Sequence, residues 1–134
     1  MLWGDGDTVR NPEGTTYASA QSNGTVADQL PNGSSLYSHY KRLIAIRKAN
    51  PEIACGEFTP LQTDGKYGGF LCSAEGSTVA VIHNTSRASV TVDLSTLTDV
   101  QLTQLVAWAG MGYATLEGTV LTLEGQTSAV LRTQ

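Results

Sequence analysis

Thr78-Val79-Ala80-Val81-Ile82-His83 runs apolar with scarcely a polar interruption. Successive side chains of a strand point to opposite faces, so a half-buried strand alternates apolar and polar residues. A run without that beat reads as a central strand covered on both faces. It limits the rest of the chain to folds that can bury such a strand. Val90, Val92 and Leu94 then alternate with Thr91, Asp93 and Ser95, the cleanest half-buried strand in the sequence.

Other short runs flank these two. Ile53–Leu61 reads as a first strand, with Phe58 and Pro60 placing it near a sheet edge, where a missing backbone donor is tolerated. Tyr67–Ser73 follows an Asp64-Gly65 turn, with Phe70 and Cys72 on one face and Leu71 on the other. Leu105–Ala109, Thr115–Glu117, Val120–Leu123 and Ala129–Leu131 complete the set, separated by glycine-containing turns. Short strands with frequent turn signals predict a mainly β protein. The expected architecture is an antiparallel Greek-key β-sandwich of seven or eight strands, preceded by one amphipathic helix and an irregular N-terminal segment. Its inward residues should include Val79, Val81, Val90, Val92, Leu121 and Val130. A turn centred on Asp64-Gly65 places Glu57 opposite Cys72, with Cys55 a diagonal neighbour at about 7–8 Å, which is too far for an unstrained disulfide. Both thiols are expected to be free.

The helix is the stretch from Ser34 to Pro51. Ser34 or Ser35 can cap its start. Asn50-Pro51 ends it, because proline drives the preceding residue out of the helical region. Leu36, Tyr37, Tyr40, Leu43, Ile44 and Arg47 fall on one broad face, and Ile46 falls off it, so the helix should touch more than one neighbour. Residues 1–33 are polar and glycine-rich without usable periodicity, a long irregular stretch more natural as a piece of something larger.

Composition removes several function classes. A net charge of −4 argues against a nucleic-acid partner, which calls for clustered Lys and Arg. Lys41-Arg42 and Arg47-Lys48 are the paired cations, and both read as solvated helix surface. No run approaches the ~20 apolar residues of a membrane span, so no membrane partner is expected. Met1-Leu2-Trp3 carries no signal-peptide pattern, and the compartment stays open between cytoplasmic and secreted. Cys55 and Cys72 lack metal-site spacing, and Asp5-Gly6-Asp7 lacks the further ligands and terminal Glu of a calcium loop, so no metal and no cofactor is expected.

Catalytic constellations are equally sparse. The acids sit mostly beside glycine or at strand ends, where solvated turn residues belong, and no carboxylate pair suited to glycosidic cleavage is legible. His39 lies on the helix, and His83 ends the buried strand as a structural histidine. There is no Gly-x-Ser-x-Gly and no phosphate-binding loop. Trp108, Tyr113 and Tyr67 are the candidates for stacking on sugar rings, with core packing the preferred reading of Trp108. Three Asn-x-Ser/Thr sequons, at Asn23, Asn32 and Asn84, fall in Asn- and Thr-rich turns.

Ser35-Leu36-Tyr37-Ser38-His39-Tyr40-Lys41-Arg42-Leu43-Ile44-Ala45-Ile46-Arg47-Lys48-Ala49-Asn50-Pro51 resembles the last helix of the catalytic barrel in α-amylase-family enzymes, glycoside hydrolase family 13. Gly56–Leu61 resembles the first strand of that family's C-terminal domain, Thr78–Ser86 its His-Asn strand and turn, and Val120–Leu123 through Arg132 its closing strands. Arg10 and Pro12 match an Arg-x-Pro motif after the last barrel strands, but Glu13 and Gly14 replace the Met that follows there and no Trp comes after. The resemblance implies three parts: 1–33 as the irregular tail of the barrel, 34–51 as its last helix, and 52–134 as the C-terminal β-sandwich. It further implies a non-catalytic domain that packs against and stabilises the barrel of an α-glucan-acting glycoside hydrolase of α-amylase or α-glucosidase type. The family's catalytic carboxylates lie on earlier barrel strands and match no residue here. The alternative is a starch- or α-glucan-binding module with aromatic stacking residues. The expected partners are the barrel, an α-glucan, and other copies of the isolated chain.

Overall fold

The computed structural model describes residues 3–4, 13–14, 24–61 and 65–133. They fall into two compact units divided between Ile44 and Ala45.

In the first unit, Thr25 opens a short helix, α1 (Val26–Gln29). The Thr25 hydroxyl accepts the Asp28 backbone N–H, and the Asp28 carboxylate accepts the Thr25 backbone N–H at 2.8 Å. This reciprocal box satisfies two donors that the first turn would otherwise leave orphaned. The stretch read as wholly irregular therefore holds a one-turn helix. Its signal, Thr-x-x-Asp, is short and followed by no apolar period.

A longer helix, α2 (Leu36–Ala49), matches the expected stretch. Ser35 Oγ accepts the Ser38 backbone N–H at 3.2 Å, so Ser35 is the cap. At the other end the Asn50 amide donates to the Ile46 carbonyl at 2.8 Å. Lys41, Arg42, Arg47 and Lys48 are all exposed.

The second unit carries eight strands: β1 (Glu57–Pro60), β2 (Gly68–Ala74), β3 (Ser77–Asn84), β4 (Val90–Asp93), β5 (Gln104–Gly110), β6 (Ala114–Glu117), β7 (Val120–Leu123) and β8 (Thr127–Arg132). They form two antiparallel sheets, ordered β1-β2-β3-β8-β5 and β4-β7-β6. Pro60 sits in the edge strand β1, as its missing donor requires. β3 is the middle of the larger sheet, as its unbroken apolar run predicts.

The inter-sheet core gathers Leu71, Ala80, Ile82, Ala129 and Leu131 from the larger sheet, and Val92, Ala114, Leu121 and Leu123 from the smaller. A second layer lies on the opposite face of the larger sheet. There Cys72, Val79, Val81 and Val130 are buried under Ile46 of α2 and Ile53 of a short helix, α3 (Glu52–Cys55). Val92 and Leu121 thus face inward as expected, with Val90 packed beside them. Val79, Val81 and Val130 are buried on the other face. An unbroken apolar strand carries no parity, so its sequence does not say which set meets the second sheet.

Two further expectations are corrected. Residues 53–55 are helical, because Pro51 fits a first helical turn and its carbonyl accepts the Ala54 and Cys55 N–H groups. The register also shifts by one, so that Phe58, not Glu57, pairs with Cys72. Cys55 is consequently no diagonal strand neighbour of Cys72. Both thiols are free, Cys55 exposed and Cys72 buried.

Asn84, at the end of β3, locks the two sheets together. Its buried amide nitrogen donates to the carbonyls of Ala88 (2.7 Å), Leu123 (3.2 Å) and Glu124 (3.0 Å). Its oxygen accepts the Ser86 N–H and hydroxyl. The Asn84 sequon is therefore committed to the fold, with its amide fully engaged inside it.

Candidate functional site

Catalysis by paired carboxylates needs at least one acid held protonated near neutral pH, which calls for a raised pKa. The described acids with resolved shifts all move the other way. Backbone and hydroxyl bonds from Thr25 hold Asp28 low, and bonds from Ser95 and Thr119 hold Asp93 low. Glu52 is buried at the start of α3. Burial pushes its carboxyl up, but the Ser77 hydroxyl (2.6 Å), its own backbone N–H and the Arg132 guanidinium (3.0 Å) outweigh this and leave it below the usual range. Glu124 accepts the Tyr113 backbone N–H at 2.9 Å. These acids cap, clamp and bridge. Asp5, Asp7 and Asp64 lie outside the described residues.

Two clefts open on the second unit. One, of about 380 Å³, has Leu94, Val100, Leu102 and Leu116 in its walls and Ser95, Thr103 and Thr119 among its polar groups. The other, of about 400 Å³, runs between Ala45, Ile46 and Ala49 of α2 and Val106 and Ala107 of β5, beside Arg132. Neither is lined by a carboxylate. Among the described residues no group of three His, Cys, Asp or Glu side chains is placed to hold a metal. No helix of the described residues is long and apolar enough to cross a membrane.

The histidines have structural surroundings. His83 is half-buried; its Nδ1 pairs with the Ser128 hydroxyl at 2.7 Å and its ring tilts against Phe70 at 5.9 Å. Burial pushes its pKa down. His39 is exposed on α2, edge-on to Tyr40. The Cys72 thiol is pushed up by burial and by the Glu52 charge, which suits an inert core sulfur.

The aromatic candidates separate. Tyr67 packs against the inter-sheet core. Trp108 was expected to pack in the core too, yet it is 40 % exposed on the edge strand β5. Tyr113, in the turn after β5, is 67 % exposed, and Met111 beside it 84 %. An edge position accounts for Trp108, and edges are not legible in a lone strand. The other exposed apolar group lies on α2, where Leu36, Tyr40, Leu43 and Ile44 recur at helical spacing and none is buried.

No protein-family profile matches the chain. A stretch of 69 residues is 39% identical to a protein described as a probable alpha-glucosidase of Rhizobium meliloti, covering 52% of this chain and 12% of that protein. Among solved structures, Amy13B of Eubacterium rectale superposes with a TM-score of 0.80 at 25% identity, over 92% of this chain and 24% of that one. Trehalulose synthase MutB from Pseudomonas mesoacidophila superposes at 0.68 with 20% identity, over 82% of this chain and 20% of that one. This chain thus spans a quarter or less of each relative. The likeness to MutB is one of fold. Together these findings agree with the resemblance carried by the α2 sequence: the chain is similar to a small part of an α-amylase-family (glycoside hydrolase family 13) enzyme.

Proposed function

We propose that this chain is the non-catalytic C-terminal domain of a larger α-glucan-acting enzyme, with residues 34–51 as the last barrel helix and 52–134 as a sandwich that packs against and stabilises the barrel. The observation that carries this reading is the apolar stripe of α2. Leu36, Tyr40, Leu43 and Ile44 share one side of the helix and remain exposed. Helices of globular proteins gain most of their stability by burying such a stripe. The small share of each relative that the chain covers supports a partner supplied by the rest of a longer chain.

An unpartnered apolar stripe also favours association between copies of the isolated chain. Light scattering over a concentration series tests this. The chain should associate as concentration rises, and Tyr40→Lys/Ile44→Lys should return it to a monomer with unchanged circular dichroism. A strict monomer at every concentration would count against the stripe as a docking face.

A further inference from the structure

The turn between α1 and α2 carries Asn32-Gly33, one of two Asn-Gly pairs in the sequence. Its backbone is held on both sides. The Asn32 N–H donates to the Gln29 carbonyl (3.1 Å), and the Asn32 carbonyl accepts the Ser35 N–H (3.1 Å) and the Ser38 hydroxyl (2.7 Å). The Asn32 side chain folds back along the chain as well: its Oδ1 accepts the Ser34 N–H at 2.9 Å. Such an Asx turn lays the carboxamide over the intervening peptide, here the Gly33 nitrogen. That nitrogen is unencumbered. Asn32 and Gly33 are both exposed, and the Gly33 N–H donates to no described group.

The other described asparagines lack this arrangement. Asn84 is buried, its carboxamide is bonded at both ends, and Thr85 follows it. Asn50 is buried, donates to the Ile46 carbonyl and accepts from Arg132, and Pro51 after it has no N–H to lose.

We propose that Asn32 is a site of spontaneous covalent modification, in which the Gly33 nitrogen attacks the Asn32 carboxamide carbon. The nitrogen gives its proton to solvent, the new C–N bond closes a five-membered succinimide, and the amide nitrogen leaves as ammonia. Water then opens one of the two ring carbonyls. One water is consumed and one ammonia released, and nothing is oxidised or reduced. Opening at the side-chain carbonyl leaves aspartate. Opening at the main-chain carbonyl leaves isoaspartate, with an extra methylene in the backbone. The isoaspartyl form turns the carbonyl that held Ser35 and Ser38 into a free carboxylate, which loosens the entry to α2. The inference uses the α1–α2 turn alone and is independent of what packs against α2.

Gly33 supplies the test. Its φ is not left-handed and a Cβ there meets nothing within 4 Å, so Gly33→Ala fits the turn while its methyl crowds the attacking nitrogen. Chain and variant are aged in mildly alkaline buffer and digested with trypsin. The peptide between Arg10 and Lys41 contains both Asn-Gly pairs, and fragmentation mass spectrometry locates the conversion. Asn32 should become a mixture of aspartate and isoaspartate, with Asn50 and Asn84 intact. Gly33→Ala should slow conversion at Asn32 about tenfold, with an unchanged melting temperature. An Asn32 that stays intact while Asn23 or a free peptide of residues 29–36 converts, or an equal rate in Gly33→Ala, would overturn the proposal.

Discussion

Glu52 and Arg132, eighty residues apart, meet at 3.0 Å and join the first turn of α3 to the end of the last strand. Ser77 completes the clasp from β3, and Asn50 accepts a second bond from the guanidinium. Folding thus gathers three distant segments around one buried carboxylate, and the hydrogen bonds offset the cost of desolvating it.

The clasp sets an acid limb for stability. Because the folded carboxyl lies below its ordinary 4.5, it binds a proton less readily folded than unfolded. Its stabilisation is therefore fully present above that ordinary value and is lost as pH falls through the depressed folded value. Glu52→Gln keeps an acceptor for Ser77 but removes the charge. It should cost about 1–2 kcal/mol at neutral pH and flatten the acid limb, as read by urea unfolding across pH. A variant with the wild-type acid limb would remove Glu52 from this role.

Val81 lies in the second apolar layer, under the α2–α3 cover. Val81→Asp buries a charge with no partner and should destabilise by about 4 kcal/mol or more. Thermal melting checks this, and wild-type behaviour would contradict the placement.

The β2–β3 turn carries Glu75 at φ 52° and Gly76 at φ 82°. Positive φ at both central residues of a two-residue turn favours Asn-Gly or Gly-Gly over a side chain such as glutamate. Glu75→Asn should raise stability by about 0.5–1 kcal/mol in denaturant titration. Destabilisation would mean that the Glu75 side chain makes a contact worth more than the relieved strain.

The legible parts of this fold were those with a period. Val90 and Val92 announced β4 by alternation, and α2 announced itself by its apolar spacing, its serine cap and Asn50-Pro51. What failed lacked one. Val79 and Val81 sit in a strand apolar on both sides, so their depth was legible and their side was not. Ile53–Cys55 looks strand-like in isolation, but Pro51 fits a helical start and Glu52 finds Arg132 only after folding. The exposure of Trp108 follows from β5 being an edge, a property of the assembled sheet. The turn beyond it depends on Glu124 and Gln126, which sequence spacing does not bring to Tyr113 and Met111.

The proposed role, a domain that supports catalysis without performing it, is tested most directly by turnover of the purified chain on p-nitrophenyl α-maltosides and soluble starch. The resolved carboxyl shifts run downward, and the acids of α1, α3, β4 and the β7–β8 turn accept bonds within the fold. The account predicts a rate indistinguishable from a buffer blank. Turnover that exceeds the blank and vanishes on replacing one of the chain's own carboxylates by its amide would contradict it.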